Sequence, residues 1–126
     1  MFHIGHLSAI QEAAALGDRV IVGITGQQDA TEYKREPIIP QEERIQIVAS
    51  LSLVDAVVCP CPLIVTKEFM DEHGIDLVVH GFANDDDLEK QREFFEIPMR
   101  MNTFRRIPYY KGTSTTDIIR KIQSMK

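Results

Sequence analysis

The sequence predicts an α/β domain with a parallel sheet, and three observations support it. Apolar residues switch repeatedly between helical spacing and short β-branched runs. Several of those runs lack polar alternation, as expected of strands covered on both faces. The length, 126 residues, fits one domain with enough apolar sequence to bury a core.

Ile4, Leu7, Ile10, Ala13, Ala14 and Leu16 form an apolar stripe at helical spacing from about residue 6, which Gly17-Asp18 stops. Arg19 to Thr25 then reads as a buried strand, because Val20, Ile21, Val22 and Ile24 are β-branched. Gly26 to Gln41 is polar and holds Gly26, Pro37 and Pro40, so a long loop is expected. It carries Tyr33-Lys34-Arg35, the only cationic pair in the first forty residues.

Pro40-Gln41-Glu42-Glu43-Arg44 opens a second helix, with carboxylates in the first turn where the helix dipole favours them. Ile45, Val48 and Leu51 supply its buried face. Val54 to Cys59 is the next strand, ended by Pro60 and Pro62. Thr66 to His73 is a third helix with Gly74 at its stop, and Ile75 to Val79 a third strand.

Asp85-Asp86-Asp87 lacks the alternating spacing of a calcium loop and is expected to cap a helical turn from Leu88 to Phe95. Phe104 to Tyr110 is a short strand. Lys111-Gly112-Thr113-Ser114-Thr115-Thr116-Asp117 turns directly into an Ile118–Ile122 helix.

Fourteen basic against nineteen acidic residues give a formal charge of −5, which argues against general nucleic-acid or anionic-membrane binding. No apolar run reaches the roughly 20 residues of a transmembrane helix, and no charged-then-apolar leader opens the chain, so a cytoplasmic protein is expected. Cys59 and Cys61 are too close for the usual zinc or redox pairs and are expected as reduced thiols at a strand end.

Two stretches have the chemistry of phosphate binding. His3-Ile4-Gly5-His6 sets two imidazoles around a glycine at a helix start, where backbone N–H groups lack partners and attract anions. Lys111 to Thr116 sets a cation, a glycine and four hydroxyls before another helix start, more than capping alone requires. His80 falls at the carboxyl end of a strand, where ligands sit in open parallel sheets.

Those motifs, with Tyr33-Lys34, Gln41-Glu42-Glu43-Arg44, Val54-Asp55-Ala56-Val57-Val58, Val79-His80-Gly81 and the closing Asp117-Ile118-Ile119, run in an order and spacing that resembles the cytidylyltransferase branch of the nucleotidyltransferase superfamily. Ethanolamine-phosphate and choline-phosphate cytidylyltransferases are the nearest pattern. The resemblance implies a Rossmann-like fold and transfer of a cytidylyl group from CTP to a phosphorylated alcohol such as phosphoethanolamine, with pyrophosphate leaving. Magnesium accompanies the triphosphate, and relatives pair as homodimers.

By the same resemblance, His3, His6 and Lys34 act on the transferring phosphoryl group. Gly5, Gly112, Thr113, Ser114 and Thr115 hold the nucleotide, while Arg44 and His80 face the substrate. Two alternatives stay open: adenylyl transfer within the superfamily, and a catalytically idle nucleotide-binding or scaffold domain. Tyr109 stands where the family's R-T-E-G motif has arginine, and His80-Gly81-Phe82-Ala83 stands where it has H-G-D-D, so Phe82-Ala83 replace its acid pair.

Relatives also carry an apolar strand and a Gly-x-Phe-Asp turn ahead of H-x-G-H, where this chain supplies only Met1-Phe2. The expectation is an N-terminally truncated domain whose sheet lacks its first, central strand, or receives it from another chain. A central strand's ladder of on the order of ten bonds, each about 0.5–1.5 kcal/mol net, is comparable with a domain's whole stability.

Overall fold

The computed structural model describes residues 2–25, 39–112 and 114–125. Among them helices and strands alternate: α1 (Ile4–Ala14), β1 (Ile21–Thr25), α2 (Gln41–Ala49), β2 (Ala56–Cys61), α3 (Lys67–His73), β3 (Val78–His80), α4 (Asp85–Arg100), β4 (Phe104–Arg106) and α5 (Thr115–Ser124). The α/β class and the parallel pairing are as expected. β1 runs parallel to β2, with Ile21 opposite Ala56, and β3 parallel to β4, with Val78 opposite Phe104.

The described residues form two parallel pairs rather than one continuous sheet, so β1 and β3 each have a single strand neighbour among them. Two polar clamps set the start of the first pair: Asp55 Oδ2 accepts from the Val20 amide at 2.7 Å, and the Asp55 amide donates back to the Val20 carbonyl at 2.9 Å.

Local chemistry explains the helix ends. The Thr66 hydroxyl accepts from the Phe69 amide at 3.1 Å and opens α3, and Gly74 closes it at φ 65°, a left-handed conformation that a side chain would strain. Asn84, not the aspartates, caps α4, accepting from the Asp87 amide at 2.8 Å. Asp85, Asp86 and Asp87 occupy its first turn instead, where the helix dipole favours them.

Helix α4 is also twice the expected length, running through Pro98 to Arg100. A proline inside a helix has no N–H for the carbonyl one turn earlier, here that of Phe94. The Val65 amide donates to that carbonyl at 2.8 Å, so the defect becomes a tie between α4 and the segment after β2. Pro98 is itself fully buried.

The strands are trimmed relative to the sequence reading: β1 starts at Ile21, β3 is Val78–His80 and β4 ends at Arg106. β2 by contrast continues through Pro60 to Cys61. The register shifts between Gly23, opposite Val58, and Thr25, opposite Cys61, and this irregularity accommodates the exposed proline. Both cysteines are free thiols at that strand end.

The core has two compositions. Ile10, Val20, Ile24 and Val48 are buried around β1 and its helices. Around β3 and β4 the buried side chains are Phe82, Ile107 and Pro98, with Phe95 and Phe104 beside Phe82 at ring-centroid distances of 5.9 and 6.1 Å. Burying a phenylalanine side chain contributes about 1.5–3 kcal/mol, so this aromatic group anchors its half of the molecule.

Candidate active site

At the start of α1, His3 is the N-cap, with an extended backbone and a ring nitrogen turned onto the helix. Its Nδ1 accepts from the Gly5 amide at 3.1 Å, while the His3 amide donates to His6 Nδ1 at 3.2 Å. The two rings lie 4.1 Å apart. This is a capping box built from imidazoles, and it starts the helix at Ile4, two residues earlier than the apolar stripe alone indicates.

The box also fixes the protonation of both rings. A nitrogen that accepts a hydrogen bond carries no proton, so each neutral imidazole holds its proton on Nε2. Burial lowers the His3 pKa from its ordinary 6.5, which reinforces the neutral form. His3 therefore offers a neutral Nε2–H donor at the helix start.

Arg44 stands in the first turns of α2 and reaches across to β1. Its Nη1 donates to the Thr25 carbonyl, at the carboxyl end of the strand, at 3.2 Å. Nε and Nη2 are buried and have no hydrogen-bond partner among the described residues. Those two groups lie along one edge of the planar guanidinium and point the same way, the geometry that grips two oxygens of a phosphate or carboxylate. Leaving such donors buried and unpaired costs roughly 1–3 kcal/mol or more, so the fork is built for an acceptor.

The Cys59 thiol sits near enough to feel this charge: burial pushes its pKa up, and Arg44 pulls it partly back. Cys61 is pushed up by burial and then by Cys59. Both thiols are therefore held protonated, as the sequence reading expects of reduced cysteines.

At the start of α5, Ser114 is the N-cap, and its Oγ accepts from the Asp117 amide at 3.1 Å. A hydroxyl that accepts through oxygen still has its own proton to donate. The helix thus runs from Thr115 to Ser124, longer at both ends than the Ile118–Ile122 expected. Gly112 precedes this cap, with the Tyr110 ring folded against it.

His80 ends β3, as expected, but its ring packs against aromatic neighbours. Its centroid lies 5.0 Å from Phe82 and 4.8 Å from Phe95, and its carbonyl accepts from the Ile107 amide at 3.1 Å. Lys34 and Thr113 lie outside the described residues.

Within each strand pair, helix starts lie at the carboxyl ends of the strands. Each of α1, α2 and α4 returns through a short turn into the strand that follows, so its N-terminus faces that strand's carboxyl end. Arg44 on the Thr25 carbonyl shows this for α2, and Asp85 against Arg106 at 3.4 Å shows it for α4. Helix α5 follows β4 and so starts from the carboxyl edge as well. No described helix is long and apolar enough to cross a membrane.

Comparison with known proteins fits this geometry. The family model for cytidylyltransferase-like proteins matches residues 1–121. Ethanolamine-phosphate cytidylyltransferase from Mus musculus is 35% identical over 120 residues, which span 94% of this chain and 29% of that protein. The Dictyostelium discoideum enzyme of the same name is 34% identical over 128 residues, 97% of this chain and 35% of that protein. This chain thus spans about a third of the length of these relatives.

The crystal structure of the lipopolysaccharide core biosynthesis protein from Thermoplasma volcanium superposes with a TM-score of 0.65, covering 88% of this chain and 90% of that one. At 22% identity it shows a shared fold. With its paired imidazoles, pinned arginine and capped last helix in the family's order, and a match from end to end, the chain belongs to the cytidylyltransferase-like family.

Proposed function

We propose that this chain carries the cytidylyl-transfer site of an ethanolamine-phosphate cytidylyltransferase, joining CTP and phosphoethanolamine to give CDP-ethanolamine and pyrophosphate. The observation that carries this reading is the buried, pinned and unpartnered Nε–Nη2 edge of Arg44, a receptor for a doubly charged phosphate. The names of the relatives supply the substrate pair.

In this reading a phosphate oxygen of phosphoethanolamine, oriented by Arg44, attacks the α-phosphorus of CTP in line. The bond from that phosphorus to the bridging oxygen breaks, and pyrophosphate leaves with its electron pair. The attacking oxygen is already ionised, so no general base is needed. His3 and His6 donate from Nε2 to oxygens whose negative charge grows as the bond breaks, and Lys34 adds a positive charge from its loop.

The β- and γ-phosphates rest at the start of α5 on Thr113, Ser114, Thr115 and the N–H groups of the first turn, with Gly5 and Gly112 in the flanking turns. His80 lines the substrate side through its aromatic neighbours. Magnesium enters on the triphosphate, as a component of the substrate. The homodimer implied by the family resemblance and the cytoplasmic location expected from the sequence belong to the same reading, and sedimentation velocity tests the first.

The deciding experiment incubates the protein with CTP or ATP, magnesium and phosphoethanolamine, and follows products by phosphorus NMR. CDP-ethanolamine formed from CTP supports the proposal. Product from ATP alone would redirect it to adenylyl transfer, and absence of product with retained CTP binding would favour an idle nucleotide-binding domain.

A further inference from the structure

The bond from Arg44 Nη1 to the Thr25 carbonyl, 3.2 Å long, takes one arm of the guanidinium and ties it to the main chain at the last residue of β1. That tie decides what the side chain has left to offer. Nε and Nη2 are buried and have no hydrogen-bond partner among the described residues, and in a planar guanidinium their N–H bonds run side by side along one edge. A ligand therefore meets two parallel donors held at a fixed angle, not the swinging end of a long side chain.

Two donors on one edge take two oxygens. A phosphomonoester dianion has three terminal oxygens, so a head seated on this edge has two of them held and one left free to attack. The fourth oxygen, which bridges to carbon, carries no charge and stands outside the grip. Transfer does not use it either, because the new bond joins a terminal oxygen to the α-phosphorus of CTP.

We infer that the Arg44 edge reads the three-oxygen head and not the ester link, so that the site also takes phosphonates: it transfers the cytidylyl group of CTP to 2-aminoethylphosphonate, in which a carbon–phosphorus bond replaces the ester. This rests on the proposed cytidylyl-transfer reading and widens its acceptor class. One ionised phosphonate oxygen attacks the α-phosphorus, the bond from that phosphorus to the bridging oxygen breaks, and pyrophosphate leaves with the electron pair. The product is an anhydride of CMP and the phosphonate, its carbon–phosphorus bond intact, and no base or oxidant enters the balance.

The test gives the wild-type chain CTP, magnesium and either phosphoethanolamine or 2-aminoethylphosphonate at about pH 8, where the phosphate head is a dianion. Phosphorus NMR follows the products, since the phosphonate resonance is resolved from those of phosphates. The cytidylylated phosphonate should form with kcat/KM within about tenfold of the value for phosphoethanolamine. Arg44→Met and Arg44→Lys, which remove the fork or replace it by a point charge, should lower kcat/KM for both acceptors by the same factor, about tenfold or more, with KM for CTP changed less than about twofold.

Turnover of phosphoethanolamine with none of the phosphonate would overturn the inference and leave the cytidylyl-transfer reading standing. So would a phosphonate that reacts but loses nothing in the Arg44 variants, because its head would then be held by another group. The wild-type comparison decides the matter even if both variants fail to fold. Turnover of neither acceptor removes the cytidylyl-transfer reading and this inference with it.

Discussion

The two strand pairs of this molecule treat polar groups in opposite ways. Around β3 and β4, internal polar groups are paired: Gln91, 9% exposed, donates to Asp87 Oδ1 at 2.8 Å, and Asp87 Oδ2 accepts from the Ala83 amide at 3.0 Å. Aromatic rings close over His80 and Phe82. Around β1 and β2, Arg44 is fixed by one bond and leaves its other edge buried and unpaired. A satisfied network is framework, while an unsatisfied one waits for a ligand.

The contrast predicts which changes unfold the protein and which only silence it. The largest stability effect should come from Phe82→Ala, which opens a cavity where the ring is 2% exposed and should cost about 3–5 kcal/mol in a denaturant melt. If that variant melts within about 1 kcal/mol of wild type, the aromatic cluster is not the anchor of its half.

Arg44→Met should reverse the pattern. Removing a charge-assisted fork worth roughly 1.5–3 kcal/mol should cut kcat/KM for phosphoethanolamine about 10- to 150-fold. Tm should hold or rise, since an uncompensated buried group disappears with the side chain. A variant that unfolds without loss of specific activity in its folded fraction would make Arg44 structural and erase the contrast.

Smaller effects sharpen the comparison at the helix starts. Ser114→Ala should cost about 1 kcal/mol through the lost cap and also weaken CTP binding, whereas Thr66→Ala should cost a similar amount and leave CTP binding alone. Asp85→Asn removes an ion pair whose carboxylate is 97% exposed, and no measurable change in Tm is expected.

A pH dependence should come from His3. The His3 pKa is lowered on folding, so the unfolded chain takes up protons first as the pH falls. The stability His3 contributes is complete above its ordinary value of 6.5 and is lost on acidification through the lower folded value. Protonation at Nδ1 also removes the acceptor of the α1 cap. Wild-type Tm should therefore fall more steeply between neutral and mildly acid pH than that of His3→Asn, which keeps a cap and has no titration there.

Most of what was legible in the sequence is local. The helices, Thr66 and Gly74 at the ends of α3, and the Ser114 turn depend on neighbours within a few positions. So does the His3–His6 pair, although its role as a capping box became visible only from the ring nitrogens. Arg44 was marked by its place in the Gln41–Arg44 motif.

What stayed illegible depends on long-range partners. The helix expected to end at Phe95 runs on through Pro98 because Val65 takes the Phe94 carbonyl. The ring neighbours of His80, Phe82 and Phe95, are likewise invisible in the sequence. Asp55 reads as one residue of the Val54–Cys59 strand until it clasps the Val20 amide.

Calorimetric titration of phosphoethanolamine into the protein, wild type against Arg44→Met, addresses the central claim most directly, because it measures the proposed ligand at the proposed fork with no chemistry intervening. With a non-hydrolysable CTP analogue and magnesium present, the wild type should bind and the variant should bind at least about tenfold more weakly, at equal helical content. Equal affinity in the two proteins would show that the phosphate of the substrate is held elsewhere.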